Sequence, residues 1–147
     1  MIAIIDKTRG GFLISKIKQI QGRVFERLLL ENDITELNSA QGRILFVLWE
    51  EDDIPITELS EKTGLAKTTL TSMLDRLEAS DHIRRERDSV NRKIVRIKLT
   101  KNAKKLKSRY DEVSAQMSEI FYRGFSDNEI KKFEKALDKV LNNLKEV

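Results

Sequence analysis

The residues of this chain best suited to chemistry are hydroxyl and cationic side chains between Lys67 and Lys93. Thr, Ser, Lys and Arg side chains donate hydrogen bonds to the phosphates and base edges of nucleic acids. The residues that we select as candidate DNA contacts are Lys67, Thr68, Thr69, Thr71, Ser72, Arg76, Arg87, Arg92 and Lys93. These side chains can act together only if the local structure brings them onto one surface.

Several activities need residues that the sequence lacks. It contains no cysteine, which excludes disulfides, thiol nucleophiles and zinc-thiolate sites. Its single histidine, His82, cannot form a multi-histidine metal site. We therefore expect no enzyme activity, no metal and no cofactor. We expect His82 to cap the junction between a helix and the hairpin that follows it.

Two short helical patterns can position the candidates up to Arg76. The first covers residues 57–63, with Leu59 inward, and ends at Gly64, which readily adopts the left-handed backbone that closes a helix-turn-helix. The second covers residues 67–79. An apolar stripe on its inner face contains Leu70, Met73, Leu74 and Leu77. The outer face suits the major groove of DNA, although a merely solvated helix surface has the same pattern.

A period-two pattern follows the second helix. Val95, Ile97 and Leu99 alternate with cationic residues, which is typical of a half-buried strand. The residues 88–91 are compatible with a turn and precede Arg92 and Lys93. The sequence therefore predicts a hairpin with a cationic tip.

Charge is unevenly distributed along the chain. Residues 84–109, which we call the basic strip, include twelve cations and two anions, a net charge of +10. The whole chain carries +4, so the remaining residues sum to −6. A charge run is usually just solvated, but this one coincides with the predicted hairpin, which favours binding to phosphates.

The segments TELSEKTGLAKTTLTSMLDRLEASDHIRR and NRKIVRIKLT together resemble the winged helix-turn-helix of the multiple-antibiotic-resistance regulator (MarR) family. The resemblance implies a mostly α (α+β) fold with a winged helix-turn-helix in residues 36–100, within a single domain of residues 1–147. Asn91 and Lys93 replace the usual Asp and Arg of the wing motif, and Asp81 replaces the usual Gly after the second helix. The resemblance also implies an ion pair between Asp75 and the second wing cation, Lys93.

Three further amphipathic patterns lie outside this part of the chain. A face of residues 11–30 contains Leu13, Ile17, Ile20, Val24 and Leu28. A second stripe contains Ala103, Leu106, Tyr110, Val113, Met117 and Ile120. The last helix starts with a capping box, Ser126 and Glu129, and its stripe contains Ile130, Phe133, Leu137, Val140 and Leu144. These stripes can pack within one chain or against a second copy. The resemblance implies that residues 9–32 and 101–146 build a homodimer.

Asn38 and Gln41 indicate a capped helix between these parts, and it carries Trp49. Trp49 is either core or part of a ligand site, because the family's small-molecule pockets lie close to this helix. The candidate ligand wall comprises Phe12, Leu45, Trp49 and Tyr110, and the resemblance implies a small aromatic or anionic effector. The acidic run from Glu50 to Asp53 is predicted to be a solvated loop.

The apolar residues Met1 to Ile5 are too few for the core of a signal peptide, and no segment is long enough to span a membrane, so we expect a cytoplasmic protein that does not bind membranes. The sequence as a whole predicts a homodimeric, sequence-specific regulator of transcription that binds double-stranded DNA at a pseudo-palindromic operator. The mode of action expected from the resemblance is that of a ligand-responsive repressor. The alternative is a winged-helix protein-interaction module whose basic strip binds an acidic partner. Whether such a regulator represses or activates is left open by the sequence.

Overall fold

A computed structural model describes residues 7–147, so Met1 to Ile5 lie outside the described part. The helices are α1 (Gly10–Glu31), α2 (Ser39–Glu50), α3 (Ile56–Thr63), α4 (Lys67–Ala79), α5 (Lys101–Phe121) and α6 (Asp127–Lys145). The strands are β1 (Ile54–Pro55), β2 (Ile83–Arg87) and β3 (Val95–Leu99). The mostly helical winged-helix fold predicted from the sequence is confirmed. Among residues 7–147, no helix is long and apolar enough to cross a membrane.

Local capping explains where the helices begin and end. Asn38 and Gln41 form a reciprocal capping box at the start of α2, as predicted, and Ser126 and Glu129 form another at the start of α6. At the end of α3, Gly64 adopts the left-handed conformation with φ 73°. Asp81, two residues after the end of α4, is also left-handed, with φ 63°. This is a backbone conformation that Gly adopts most readily.

The three strands form one antiparallel sheet with β3 at its centre, in the order β1-β3-β2. Ile54 of β1 pairs with Ile97, and Ile83 of β2 pairs with Leu99. Ile97 and Leu99 are buried and Val95 is half-buried, so the predicted alternation holds along β3.

Two residues of the acidic run before β1 have partners that the sequence analysis did not predict. A carboxylate oxygen of Asp52 accepts a hydrogen bond from the backbone N–H of Leu99 at 2.9 Å. Asp53, which is left-handed with φ 56°, pairs with Arg96 of β3 at 2.8 Å. The two residues lie in a loop, where Asp52 is exposed and Asp53 half-buried, as predicted, but both bind the sheet, which the prediction of a purely solvated run missed.

The described part of the chain divides into two compact units, the first ending at Val113 and the second covering residues 114–147, with the boundary inside α5. The core of the first unit joins α2, α3, α4, the sheet and the first half of α5. Trp49 is half-buried there, its indole N–H donates to the Ala103 carbonyl at 3.0 Å, and its ring lies 4.9 Å from that of Tyr110. Trp49 therefore packs against the core, which is one of the two roles that the sequence left open.

The second unit contains an aromatic cluster that the sequence analysis did not single out as a cluster. Its members are Phe121, Tyr122, Phe125 and Phe133, with ring centroids between 4.8 and 6.3 Å apart. The Tyr122 hydroxyl donates to Glu134 at 2.6 Å, and this bond raises the pKa of Tyr122 to about 12. The cluster closes the turn between α5 and α6.

Apolar faces at both ends of the chain remain exposed. On α1, Leu13, Ile17 and Ile20 are each more than 40% exposed, and on α6 Val140 and Leu144 are 43% and 68% exposed. Large apolar side chains that repeat along a helix face and stay exposed usually mark an interaction surface.

Candidate nucleic-acid interface

Helices α3 and α4 form the predicted helix-turn-helix, and hydrogen bonds hold its turn. The Ser60 hydroxyl donates to the Leu65 carbonyl at 2.7 Å, and the Thr63 hydroxyl donates to the Leu59 carbonyl at 2.7 Å. Leu59 and Leu70 are fully buried beneath the turn. The angle between the two helices is therefore held by both packing and side-chain hydrogen bonds.

The outer face of α4 carries all six candidates selected from this helix. Lys67, Thr68, Thr69, Thr71, Ser72 and Arg76 are exposed, and none of these side chains is hydrogen-bonded or ion-paired within residues 7–147. Helix α4 follows Ala66, which supplies no side-chain cap, so the first-turn N–H groups point outward without an acceptor from that residue. The face thus presents hydroxyls, cations and the positive end of a helix dipole together.

An ion-pair clamp joins α4 to β2, with Arg85 at its centre. Its guanidinium binds Asp75 at 2.7 Å and Glu78 at 2.6 Å, and its backbone N–H also donates to Glu78 at 3.1 Å. These bonds lower the pKa of Glu78, chiefly through the side chain of Arg85. The clamp holds the second half of α4 against the sheet.

This clamp contradicts the ion pair that the resemblance implied. Asp75 binds Arg85 rather than Lys93, which lies on the exposed wing turn. The planar guanidinium of Arg85 can bind two carboxylates at once, whereas the ammonium of a lysine acts as a single point charge. The signal that sequence reasoning missed is the spacing of Asp75 and Glu78, three residues apart on one helix face, before an arginine in the next strand.

The wing is the hairpin of β2 and β3, and Asp88 organises its turn. One carboxylate oxygen of Asp88 accepts hydrogen bonds from the N–H groups of Val90 and Asn91 at 3.0 and 2.9 Å. These two bonds are the main reason that the pKa of Asp88 is lowered, and Arg96 contributes further. The Asn91 side chain accepts from the N–H of Lys93 at 3.2 Å. Arg92 and Lys93 are exposed at this tip, as predicted.

The basic strip is less free than its sequence suggests. Five of its twelve cations form ion pairs, namely Arg85, Arg96, Lys98, Lys104 and Lys107. Arg87 remains exposed but donates to the Arg92 carbonyl at 2.9 Å, so it also supports the turn. Arg84, which was not selected, is exposed and makes no ion pair in the described part of the chain.

His82 lies at the junction of α4 and the wing, as expected. It is 1% exposed, its Nδ1 lies 2.7 Å from the Ser80 hydroxyl, and Nε2 is buried without a partner among residues 7–147. Its backbone carbonyl accepts from Thr100 N–H at 3.1 Å. Burial lowers the pKa of His82, although Glu36 and Asp81 act in the opposite direction.

The candidate ligand wall is only partly assembled. Leu45 and Tyr110 are buried in the core of the first unit and Trp49 packs against it, whereas Phe12 is 59% exposed on α1 beside Arg9. The ring of Tyr110 lies between Trp49 and Phe25, and burial raises its pKa to about 12. Three of the four residues therefore form packed core.

Comparison with known proteins finds relatives among helix-turn-helix transcriptional regulators. The model of the MarR family matches residues 37–95. The regulator TtmR of Methylorubrum extorquens is 39% identical over 90 residues, which are 61% of this chain and 45% of that protein. YsmB of Bacillus subtilis, an uncharacterized helix-turn-helix transcriptional regulator, is 34% identical over 101 residues and 67% of each chain.

A solved structure has the same fold. Mutant MarR from E. coli, complexed with operator DNA, aligns with a TM-score of 0.78 at 24% identity, covering 89% of this chain and 92% of that one. The alignment to TtmR spans less than half of that protein, but the alignment to YsmB spans two thirds of both chains. By the family match, the relatives and the fold, the chain belongs to the MarR family of helix-turn-helix transcriptional regulators, whose members are not enzymes.

Proposed function

We propose that this protein binds duplex DNA with α4 in the major groove and with Arg92 and Lys93 of the wing in the adjacent minor groove. The observation that carries the proposal is the outer face of α4, where exposed donors without partners lie on a helix clamped to the sheet. An α-helix fits the major groove, and cations inserted in the minor groove read its width and potential. Base contacts are assigned to Thr69 and Ser72, and phosphate contacts to Arg76.

The DNA-binding unit is a homodimer in this proposal. Exposed apolar faces on α1 and α6 support a second copy as their partner, because the burial of such faces drives association. The two copies of α4, the recognition helices, then bind half-sites about 34 Å apart on one face of a pseudo-palindromic operator. Repression follows if the operator overlaps a promoter, and a cytoplasmic location is the one in which such a regulator reaches DNA.

The experiment is selection from a random duplex pool followed by sequencing, repeated at several salt concentrations. A regulator enriches a palindrome, whereas a module that binds an acidic partner retains DNA without sequence preference. Replacing Arg92 and Lys93 together by Ala should reduce the steepness of the salt dependence by about 1 to 2 units. The matched control replaces Lys131 and Lys132, two exposed cations of α6, and should leave it unchanged. Equal salt dependence in both double variants would remove the wing from the interface.

Dimerisation is tested by adding a charge to the α6 face. Val140→Asp should give a monomer that has lost operator binding, whereas Asn142→Asp adds the same charge beside it and should remain dimeric. Sedimentation analysis at micromolar concentration measures the assembly. A wild-type monomer that binds the operator normally would contradict the dimer.

The proposal also includes a small-molecule effector that regulates DNA binding. A small aromatic or anionic molecule would release DNA only if it bound a conformation that DNA does not select, because equal affinity for both states shifts no population. The half-buried indole of Trp49 is the candidate contact. Since Leu45 and Tyr110 are packed beside it, binding there requires their rearrangement.

A further inference from the structure

Arg96 lies at the centre of the sheet and binds two carboxylates from opposite sides. Its Nε donates to a carboxylate oxygen of Asp53 at 2.8 Å, and its Nη2 donates to the Asp53 carbonyl at 2.5 Å. Its Nη1 donates to Asp88 at 3.2 Å. Asp53 precedes β1 and Asp88 follows β2, so one side chain of β3 joins segments next to both edge strands.

The bond to Asp88 reaches the wing tip. Asp88 uses one carboxylate oxygen for Arg96 and the other for the N–H groups of Val90 and Asn91. Asn91 in turn accepts from the N–H of Lys93. A continuous chain of hydrogen bonds therefore runs from Asp53 through Arg96 and Asp88 to the turn that carries the exposed cations.

We propose that Arg96 is a positioning residue for DNA binding, which holds the wing turn of residues 88–93 in the conformation that presents Arg92 and Lys93 to the minor groove. The inference rests on the proposed function, since it assumes that the wing contacts DNA. Arg96 itself does not serve as a phosphate contact, because its side chain is 29% exposed and its donors are directed to Asp53 and Asp88.

Positioning and simple electrostatics predict opposite signs for one substitution. Asp88→Ala makes the wing more positive by one charge, so an effect of charge alone would tighten binding to DNA. If Asp88 instead organises the turn, the same substitution weakens binding, because Arg92 and Lys93 lose their fixed geometry. Glu86→Ala is the matched control, since Glu86 is a wing carboxylate paired with Lys98 and does not touch the turn.

The experiment measures affinity and hydroxyl-radical footprints on the selected duplex for wild type, Asp88→Ala, Asp53→Asn, Arg96→Lys and Glu86→Ala. Asp88→Ala and Arg96→Lys should bind roughly three- to tenfold more weakly and lose minor-groove protection at the flanks of the site. Arg96→Lys keeps the charge, so its weakening reports the lost geometry. Asp53→Asn should weaken binding in the same direction. Glu86→Ala should bind at least as tightly as wild type with an unchanged footprint.

Two results overturn the proposal. The first is an Asp88→Ala variant that binds DNA as tightly as Glu86→Ala and keeps the flanking protection. Amide exchange of Val90 and Asn91 in the free protein gives the second readout, and Arg96→Lys should exchange faster than wild type. Equal exchange rates would overturn the positioning role whether or not DNA binds. A wild-type protein without flanking protection, in contrast, refutes the wing contact of the proposed function.

Discussion

Two glycines inside helices test the packing around the candidate ligand wall. Replacing Gly by Ala is expected to raise the unfolding free energy at one position and to lower it at the other. A Cβ placed on Gly42 of α2 would lie 2.6 Å from the Tyr110 hydroxyl and 2.7 Å from a carbon of its ring. A Cβ placed on Gly22 of α1 would meet only the Ser39 hydroxyl, at an ordinary 3.6 Å. Gly22→Ala is therefore a matched control for Gly42→Ala.

The magnitudes follow from two terms. Replacing Gly by Ala within a helix stabilises it by about 0.5 to 1 kcal/mol, and Gly22→Ala should show this gain alone. At Gly42 the ring of Tyr110 must move, but it is 5% exposed and packed between Phe25 and Trp49. Overpacking of this kind costs about 1 to 3 kcal/mol. The net loss of unfolding free energy for Gly42→Ala should then be about 0 to 2.5 kcal/mol.

Urea unfolding followed by the fluorescence of Trp49 is the assay, because this is the chain's one tryptophan and its ring lies 4.9 Å from that of Tyr110. Combining Gly42→Ala with Tyr110→Leu should recover part of the loss, since the leucine removes the atoms nearest the new methyl group. If Gly42→Ala is stabilised as much as Gly22→Ala, Tyr110 moves without cost. That result would refute the conclusion that Tyr110 is packed tightly between Phe25 and Trp49. It would also show that the side chains beside Trp49 can move at little cost in free energy to open a pocket.

Three further predictions concern the junction, the clamp and the effector. Burial lowers the pKa of His82 in the folded protein, so below pH 6.5 the unfolded chain binds a proton at His82 more readily than the folded one. The unfolding free energy should therefore decrease as the pH is lowered from 6.5 to the pKa of the folded state, by at most about 1.4 kcal/mol per pH unit. His82→Leu should flatten this dependence in pH-resolved thermal unfolding, and an unchanged slope would assign it to other groups. Arg85→Ala should lower the unfolding free energy by about 1 kcal/mol and weaken operator binding, whereas Arg84→Ala, which removes an exposed cation beside it, should change only the salt dependence; equal stability of the two variants would argue against the clamp. Phenolic acids should quench Trp49 more strongly in the free protein than in its DNA complex, and identical titrations would mean that these compounds do not regulate binding.

Local patterns predicted the recognition helix and the wing because each depends on neighbours in sequence. The stripe from Leu70 to Leu77 and the left-handed Gly64 gave the residue ranges of α3 and α4 almost unchanged. The capping boxes at Asn38 and Ser126 also follow from residues three positions apart. In such cases the spacing of a few residues determines the geometry.

Long-range ion pairs could not be predicted in the same way. In the sequence, Asp52 and Asp53 look like a solvated acidic run, because their partners on β3 lie more than forty residues later in the chain. Only the folded sheet places β3 next to them. The partner of Asp75 was likewise misassigned, because the choice between Arg85 and Lys93 depends on the register of β2 on β3 and on side-chain reach. Sequence spacing does not encode either quantity.

The ion pairs within the basic strip reduce the number of its cations that are available to bind DNA phosphates. If all twelve cations of residues 84–109 contacted phosphates, the strip would contribute a salt slope of about −11 per protomer, at roughly 0.9 per contact. Five of them already bind carboxylates of the protein, and freeing one for DNA would leave its carboxylate unpaired beside the phosphates. The remaining seven limit the slope to about −6. Three of the five paired cations, Arg85, Arg96 and Lys98, lie on β2 and β3, where their ion pairs stabilise the wing instead of binding phosphates. The cations available to DNA are therefore those of the strip that make no ion pair within residues 7–147, and they include Arg92 and Lys93 at the wing tip.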